Sequence, residues 1–429
     1  MKRVITTLLL AALLLGLAAA AGADTPAAFD LESLLEALEK EAQALAADHI
    51  PLDLGLVSDP SIFDEGQPVL GVENLSVDVP YAILMERETG TVIFEKDADT
   101  VTAPASITKI MTTLLIMEEI QGGRLNLEDM VVTSARAAGM GGSQIYLEEG
   151  EQMTVRDLLK SIVIASANDA SVAMAEHLSG TEDAFTARMN QRAAELGMEN
   201  TLFLNSTGLP VEDRENETTA RDVALMSRAL ISHDLVKEFS TIWMDTVRNG
   251  EFGLNNTNRL IYYYDGATGL KTGFTQTAMY CLAATAERDG VEYIAVVLHG
   301  ETSDQRFEAA KTLLSFAFAN YSLVNIQPAE VLRPLRVELG AADAVQPVLE
   351  GAQQLLLEKT IASSVTQRVE ILESVPAPVT RGQPLGTLTV YDGEEVIASI
   401  PIVAGDSVEK ISTLQVFGKF MRLLFTGGL

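Results

Sequence analysis

Pro104-Ala-Ser-Ile-Thr-Lys109 places a serine, Ser106, three residues ahead of a lysine, Lys109. Residues three apart on a helix share a face. Pro104 is typical of a helix start, so Ser106 is expected near the positive end of the helix dipole. A serine hydroxyl is a weak nucleophile that needs an adjacent base, and a desolvated lysine can be neutral and take that proton. The stretch therefore predicts a serine nucleophile with a lysine base.

Two further motifs distinguish Ser106 from other serines, because its spacing alone is common. Ser407-Val-Glu-Lys410 has the same spacing but falls in a segment expected to be exposed. Ser166-Ala-Asn168 lies sixty residues after Ser106 and is the only Ser-x-Asn in the chain. Lys271-Thr-Gly273 follows and is the only Lys-Thr-Gly. The three motifs in this order predict one active site.

Each motif supplies groups that acyl transfer needs. Ser166 and Asn168 are expected in a loop between helices, where their short polar side chains can project. The Ser166 hydroxyl can relay a proton, and the Asn168 amide can hold Lys109 or a substrate amide. Lys271, expected just before a strand, offers a positive charge to a substrate carboxylate. Thr272 adds a hydroxyl, and Gly273 lets substrate backbone approach closely. The backbone N–H groups of Ser106 and Phe274 are the expected oxyanion hole.

The fold around these motifs is predicted to be α/β, with an antiparallel sheet covered by helices. Tyr81–Met85 and Thr91–Phe94 are predicted strands joined through Thr89-Gly90. A second strand pair brackets 279–299 and turns at Arg288-Asp289-Gly290. Helical patterns lie between the two pairs, at 106–120, 154–178 and 183–197.

The chain resembles the low-molecular-mass penicillin-binding proteins of the D-alanyl-D-alanine carboxypeptidase type, serine peptidase family S11. The resemblance is carried by the three motifs and by two further segments between them, Gly142-Ser143 and Asn205-Ser-Thr-Gly-Leu209. It covers roughly 76–320 closely, then continues through a β domain and a terminal amphipathic anchor. It implies a DD-peptidase/β-lactamase-like catalytic domain.

The resemblance also implies roles and ligands. Ser106 would be the acyl-ester nucleophile and Lys109 its proton acceptor. Ser166 and Asn168 would be catalytic partners, and Lys271 would bind substrate. The family removes the terminal D-alanine from peptidoglycan stem peptides ending in D-Ala-D-Ala and is acylated by β-lactams. No metal and no organic cofactor are expected.

Three alternatives remain open. β-Lactamases use a glutamate to deacylate, and Glu212 with Asn216 has one spacing of that type, although both lie in the charged loop 211–217. A non-enzymatic wall-binding protein would not need Ser106, Lys109 and Asn168 together. Endopeptidase or transpeptidase activity is compatible with the same motifs.

Other chemistries lack support. The four histidines form no His-Glu-x-x-His motif, and no Gly-x-Ser-x-Gly elbow is present. His177 is expected to be a packed or partly exposed helix residue. Cys281, the one cysteine, excludes an intramolecular disulfide and is expected in a buried strand.

The N-terminus predicts export. Lys2 and Arg3 precede an apolar run to about Ala21, and Ala21-Gly22-Ala23 fits a signal-peptide cleavage site; an uncleaved anchor is the alternative. The net charge is −30, and loss of 1–23, which contains Lys2, Arg3 and no acid, leaves −32. This charge excludes nucleic acid as a partner. The expected location is the outer face of the cytoplasmic membrane.

Five segments are predicted: a signal peptide (1–23), an accessory segment (24–75), a catalytic domain (76–322), an all-β domain (328–405) and an anchor helix (406–429). The β domain includes a hairpin signal, 388–397, turning at Asp392-Gly393. Residues 410–429 carry Lys410, Lys419 and Arg422 and no acid. At helical spacing, one stripe is polar and apolar residues cover the rest. That pattern indicates a helix lying in a membrane interface rather than spanning it; docking on its own domain is the alternative.

Overall fold

The structure, a computed structural model, describes residues 75–328, 331–351 and 353–412. The predicted signal peptide, all but the last residue of the accessory segment, and residues 413–429 of the predicted anchor helix lie outside these residues. Within the described ranges, no helix has both the length and the apolar character needed to cross a membrane.

A five-stranded antiparallel sheet organises the first part of the chain. The strands of this part are β1 (Tyr81–Glu86), β2 (Val92–Lys96), β3 (Met130–Val132), β4 (Gln152–Thr154), β5 (Met244–Val247), β6 (Phe252–Asn255), β7 (Ala267–Thr275), β8 (Met279–Arg288) and β9 (Val291–Gly300). The sheet has the order β2-β1-β9-β8-β7. Two small hairpins, β3–β4 and β5–β6, lie outside it.

The sheet joins both ends of this part of the chain, as the sequence predicts. β1 turns into β2 near Thr89-Gly90, and β8 turns into β9 at Asp289-Gly290. β1 then pairs with β9, which closes the sheet across about 200 residues of intervening chain. The antiparallel sheet with helices is confirmed.

Helices cover both faces of the sheet. They are α1 (Lys109–Gln121), α2 (Ala135–Ala138), α3 (Val155–Val163), α4 (Asn168–Ser179), α5 (Glu182–Glu195), α6 (Ala220–Ile231), α7 (Lys237–Ser240), α8 (Leu260–Tyr263) and α9 (Ser303–Asn320). Successive side chains of a strand point to opposite faces. Ile83 accordingly packs in the core that contains Ile110 of α1, whereas Leu84 packs in the core that contains Phe307 of α9.

The helical pattern predicted over 154–178 is interrupted in the structure. α3 ends at Val163 and α4 begins at Asn168, because Ser166 between them has φ +63°. A left-handed residue cannot continue a right-handed helix. The pattern is therefore two helices, and Ser166 lies in the expected loop between them, whereas Asn168 is already the first residue of α4.

Lys271 lies inside a strand, which corrects the expectation that it precedes one. β7 runs from Ala267 to Thr275 and forms the edge of the sheet, paired on one side with β8. At Gly273, β7 also contacts the short 3-10 turn Ala105–Thr108 that carries Ser106. The edge of the sheet thus positions the Lys-Thr-Gly motif beside the predicted nucleophile.

The second part of the chain is built almost wholly of short strands, and the small all-β domain is confirmed. The strands are β10 (Tyr321–Asn325), β11 (Leu335–Glu338), β12 (Ala344–Val345), β13 (Pro347–Leu349), β14 (Gln354–Glu358), β15 (Thr366–Ile371), β16 (Ser374–Pro376), β17 (Pro384–Asp392) and β18 (Glu395–Ala404). A one-turn helix, α10 (Lys359–Ala362), follows β14. β17 and β18 form the predicted hairpin at Asp392-Gly393.

Candidate active site

Ser106 lies in a tight turn at the start of α1. The 3-10 turn Ala105–Thr108 leads directly into Lys109, the first residue of α1. Ser106 is partly exposed while both of its neighbours in the chain are buried. Ala105 has φ +48°, a backbone conformation that non-glycine residues adopt rarely and often at functional sites. The turn therefore leaves the Ser106 side chain accessible while the residues on either side of it are buried.

Lys109 is fully buried next to that hydroxyl. Its Nζ donates to Ser106 Oγ at 3.1 Å, to Asn168 Oδ1 at 2.6 Å and to the Thr207 carbonyl at 2.8 Å. Burial, with the nearby charge of Lys271, holds the pKa of Lys109 well below its ordinary value, against the opposing charge of Asp169. A lysine so placed can be neutral and accept a proton from the serine.

Asn168 begins α4 and connects Lys109 to the neighbouring loop. Its Oδ1 accepts from Lys109, its Nδ2 donates to the Gly141 carbonyl at 2.7 Å, and its backbone N–H donates to Ser143 O at 2.7 Å. Both ends of the amide are therefore satisfied, and the oxygen is fixed toward the lysine. Ser166 is buried two residues earlier, but its hydroxyl forms no hydrogen bond to Ser106 or Lys109 here.

The segment Asn205–Leu209 provides a backbone hydrogen-bond acceptor for Lys109. Asn205 Oδ1 accepts from the backbone N–H groups of Thr207 and Gly208, which curls the segment and directs the Thr207 carbonyl at Lys109. Gly208 has φ +84°, and a Cβ built there would lie 1.8 Å from the Ala105 carbonyl oxygen. Only glycine allows this approach, so Gly208 lets the segment pack against the nucleophile turn.

The Lys-Thr-Gly motif forms the opposite side of the site. Lys271 is buried and donates to the Thr272 carbonyl at 2.9 Å, and Thr272 Oγ1 donates to Thr257 Oγ1 at 2.7 Å. Burial, together with the charge of Arg306, lowers the pKa of Lys271 to about 7. A Cβ at Gly273 would lie 2.7 Å from the Pro104 carbonyl oxygen, so the glycine permits contact between β7 and the turn.

The two expected oxyanion donors lie on the two elements that meet here. Ser106 is in the 3-10 turn, and Phe274 follows Gly273 on β7. The Phe274 side chain is exposed and stacks on Tyr280, with ring centroids 4.4 Å apart. The structure therefore brings all three motifs together: Ser106 from the 3-10 turn, Lys109 from α1, Asn168 from α4, and Lys271 to Phe274 from β7.

Three participants in this network carried no sequence signal of their own. The carbonyls of Thr207 and Gly141 accept through backbone atoms, which no residue type reveals. Thr257 joins Thr272 from the segment after β6, and its backbone N–H donates to Ile164 O, close to Ser166. Thr207 lies in the Asn205–Leu209 segment that the family resemblance indicates.

Residues considered for other chemistries take other positions. Glu212 is exposed, whereas Asn216 is buried and uses its amide to hold Leu204 N and Thr108 Oγ1. His177 is exposed on α4. Cys281 is buried in β8, and burial raises the pKa of its thiol to about 11, which makes it a poor nucleophile. Across the ranges that the structure describes, no three His, Cys, Asp or Glu side chains cluster to hold a metal.

The structure thus places a serine hydroxyl in hydrogen-bond contact with a buried lysine of depressed pKa, beside the edge strand of an antiparallel sheet, an arrangement suited to serine acyl transfer. The sequence matches the family described as D-alanyl-D-alanine carboxypeptidase over residues 69–302, and the C-terminal domain of penicillin-binding protein 5 over residues 325–410. The chain therefore belongs to the D-alanyl-D-alanine carboxypeptidase family.

Individual relatives agree with this assignment. The chain is 40% identical to D-alanyl-D-alanine carboxypeptidase DacF of Bacillus subtilis, an alignment that covers 78% of this chain and 87% of DacF. Among solved structures, penicillin-binding protein 5 from Haemophilus influenzae superposes with a TM-score of 0.71 at 27% identity, covering 79% of this chain and all of that one. Penicillin-binding protein D2 from Listeria monocytogenes, in an ampicillin-bound form, gives 0.53 at 33% identity, covering 57% and 99%.

Proposed function

We propose that this protein is a serine-type D-Ala-D-Ala carboxypeptidase that removes the terminal D-alanine from peptidoglycan stem peptides through an acyl-enzyme on Ser106. The observation that carries the proposal is the hydrogen bond from buried Lys109 to the Ser106 hydroxyl. Membership of the D-alanyl-D-alanine carboxypeptidase family supports the substrate. The ampicillin-bound Listeria relative supports acylation by β-lactams.

In the proposed acylation step, Lys109 takes the Ser106 proton while Oγ attacks the carbonyl carbon of the penultimate D-alanine. The backbone N–H groups of Ser106 and Phe274 hold the developing oxyanion. The tetrahedral intermediate collapses, and the C–N bond breaks as the departing D-alanine amine receives a proton from Lys109. Ser166, buried two residues before Asn168, is the proposed relay for that proton.

In the proposed deacylation step, a water attacks the ester and gives its proton to Lys109, and Ser106 leaves with a proton. The terminal carboxylate of the substrate is expected to bind at Lys271 and Thr272, with the substrate backbone along β7. The expected role of Gly273 changes, because the space left by its missing side chain is taken by the Pro104 carbonyl. Hydrogen bonding to Thr257 fixes the Thr272 hydroxyl at this end of the site. Because a bound carboxylate favours the charged lysine, substrate should raise the pKa of Lys271 from about 7.

A β-lactamase is the nearest competing function, and the position of Glu212 argues against it. Glu212 is exposed, and its partner in the considered spacing, Asn216, uses its amide to bond Leu204 N and Thr108 Oγ1. Without a glutamate that activates a deacylating water, the penicillin acyl-enzyme is expected to persist.

A fluorescent penicillin, followed over time, tests the function. We expect one long-lived covalent label together with D-alanine release from a peptide ending in D-Ala-D-Ala. Rapid turnover of the label would indicate a β-lactamase. Absence of both label and D-alanine would indicate a non-catalytic wall-binding protein. Release from cross-linked dimeric stem peptides would reveal endopeptidase activity.

We further propose that the protein is exported and works at the outer face of the cytoplasmic membrane. The basis is the sequence of residues 1–23 and the basic, apolar sequence 410–429. The proposed segments are 1–23, 24–75, 76–322, 328–405 and 406–429. Backbone hydrogen bonds join Val408 to Val379 and Ile411 to Leu339, so the first residues of the last segment complete the β domain. A deletion that tests the anchor should therefore begin after Ser412.

Removing 413–429 from a protein that starts at Asp24 is expected to abolish its sedimentation with anionic lipid vesicles. The physical reason is loss of a basic amphipathic segment, since the rest of the chain is strongly acidic and should be repelled. The parent protein should sediment with the vesicles. A double variant with Lys419→Glu and Arg422→Glu, which keeps the full length, should sediment less. Equal sedimentation of parent and truncated protein would refute the anchor, and unchanged penicillin labelling confirms that the fold survives.

A further inference from the structure

Arg306 lies buried behind the Lys-Thr-Gly strand, on the first turn of α9. Its Nη1 donates to the Gly273 carbonyl at 3.0 Å and to the Cys281 carbonyl at 3.2 Å. The guanidinium also lies against the Phe307 and Tyr280 rings, 4.9 Å and 5.3 Å from their centroids. The side chain therefore connects α9 to both β7 and β8 at the level of the active site.

The carbonyl that Arg306 holds belongs to the peptide group whose N–H is an expected oxyanion donor. The C=O of Gly273 and the N–H of Phe274 share one amide plane. In a trans peptide these two bonds point in opposite directions. Because the Gly273 oxygen points toward α9 and β8, the Phe274 N–H points to the other edge of β7. The turn containing Ser106 packs against β7 at Gly273, the residue before Phe274, where a Cβ would lie 2.7 Å from the Pro104 carbonyl oxygen.

The sheet is irregular where Arg306 enters. The pairing of β8 with β9 shifts register between Tyr280 and Leu282, at Cys281. Arg306 supplies a donor to the Cys281 carbonyl at this irregularity and reaches Gly273, the partner of Cys281 on β7, with the same nitrogen. One side chain thus fixes the spacing of the two strands beside the site.

This arrangement is costly for a purely structural residue. Within the described residues, Arg306 has no carboxylate at ion-pair distance, and its buried Nε has no hydrogen-bond partner. An apolar side chain of similar volume would avoid the desolvation of a charge. Burial lowers the pKa of Arg306 only to about 10, so the group remains a cation at neutral pH.

We propose that Arg306 is a positioning residue for the oxyanion hole, which orients the Gly273–Phe274 peptide and strengthens its N–H as a donor. A cation bonded to an amide oxygen draws electron density from the nitrogen, and hydrogen bonds in a chain polarise one another. The inference rests on the proposed function. It adds a role for a residue that does not touch the substrate.

Infrared spectroscopy of the penicillin acyl-enzyme tests this role directly. An oxyanion hole polarises the ester carbonyl, so its stretching frequency reports the strength of the N–H donors. Arg306→Met keeps the bulk of the side chain, and its ester stretch is expected to move to higher wavenumber. The kcat for D-alanine release should fall about ten- to a hundredfold, less than the loss of a whole donor, with KM nearly unchanged. Arg306→Lys should restore part of both.

Arg228→Met is the matched control, since Arg228 is also partly buried and donates to backbone carbonyls, those of Arg87 and Glu88 near the β1–β2 turn. It should alter stability without moving the ester stretch. If Arg306→Met does not fold, Arg306→Gln, which also removes the charge, carries the same readout. An unmoved ester stretch in a folded Arg306 variant, or an equal shift in Arg228→Met, overturns the inference alone. Absence of an acyl-enzyme in the unmodified protein overturns the proposed function and the inference together.

Discussion

Ser106→Ala is expected to abolish both D-alanine release and covalent penicillin labelling. The hydroxyl is the only group in the proposed mechanism that forms a bond to the substrate, so its loss leaves no acyl-enzyme. Removing the nucleophile of a serine peptidase costs roughly 10⁶-fold in kcat, with residual catalysis from the rest of the site. Ser106 is partly exposed and its side chain is not part of the core, so the fold should be retained.

Ser407→Ala is the matched control, because Ser407 and Lys410 repeat the spacing of Ser106 and Lys109. In the structure, Ser407 Oγ accepts from Arg381 N, and both Ser407 and Lys410 are exposed. The control variant should release D-alanine at the rate of the unmodified protein. Undiminished release or labelling by Ser106→Ala, measured with each protein's thermal unfolding temperature, would contradict the assignment of the nucleophile.

The contrast between Ser106 and Ser407 shows what the sequence could predict. Both serines stand three residues before a lysine. The presence of Ser166-Ala-Asn168 and Lys271-Thr-Gly273 elsewhere in the chain indicates that Ser106 is the one in a site. The hairpins at Thr89-Gly90 and Asp289-Gly290 were also predictable, because turn residues there separate apolar strands. Motifs and turn residues that are visible in the sequence were therefore sufficient to predict the nucleophile and the two hairpins.

What the sequence could not predict depends on contacts between distant segments. β7 contains Gly269 and Gly273 among its nine residues, so its composition does not indicate a strand, and it is a strand through its pairing with β8. The Thr207 carbonyl and Arg306 reach the site through tertiary packing, which no local motif records.

Lys109→Met is expected to lower the rate of acylation by at least about a thousandfold. General-base catalysis raises the rate of such a step roughly 10²–10⁴-fold. When the base and the nucleophile act as a unit, removing the base lowers the rate by more than this. Methionine approximates the length of lysine without a proton acceptor. Lys109→Arg keeps a cation whose pKa is too high for it to act as a base, and it should be comparably inactive. Activity in the arginine variant would indicate that charge, not proton transfer, is the contribution of Lys109.

The pH dependence separates the role of Lys109 as a base from a structural role. The neutral lysine is the active form, so acylation by a saturating β-lactam should rise as pH increases through the depressed pKa of Lys109. Lys271 faces Lys109 and lowers its pKa, whereas Asp169 raises it. Lys271→Met should therefore move the acid limb of the profile to higher pH. A limb that stays in place would mean that another group controls it.

The depressed pKa of Lys109 should also make the free energy of unfolding depend on pH, in a direction that can be stated in advance. A lysine whose pKa is lower in the folded protein binds fewer protons there than in the unfolded chain, which titrates near the ordinary value of 10.5. The free energy of unfolding must then rise with pH between the folded and unfolded pKa values. This contribution is absent from Lys109→Met, so the stability of the unmodified protein relative to that variant should increase as pH is raised toward 10.5. Chemical denaturation of both proteins across this range measures the difference, and parallel curves would show that Lys109 is charged when folded and cannot be the base.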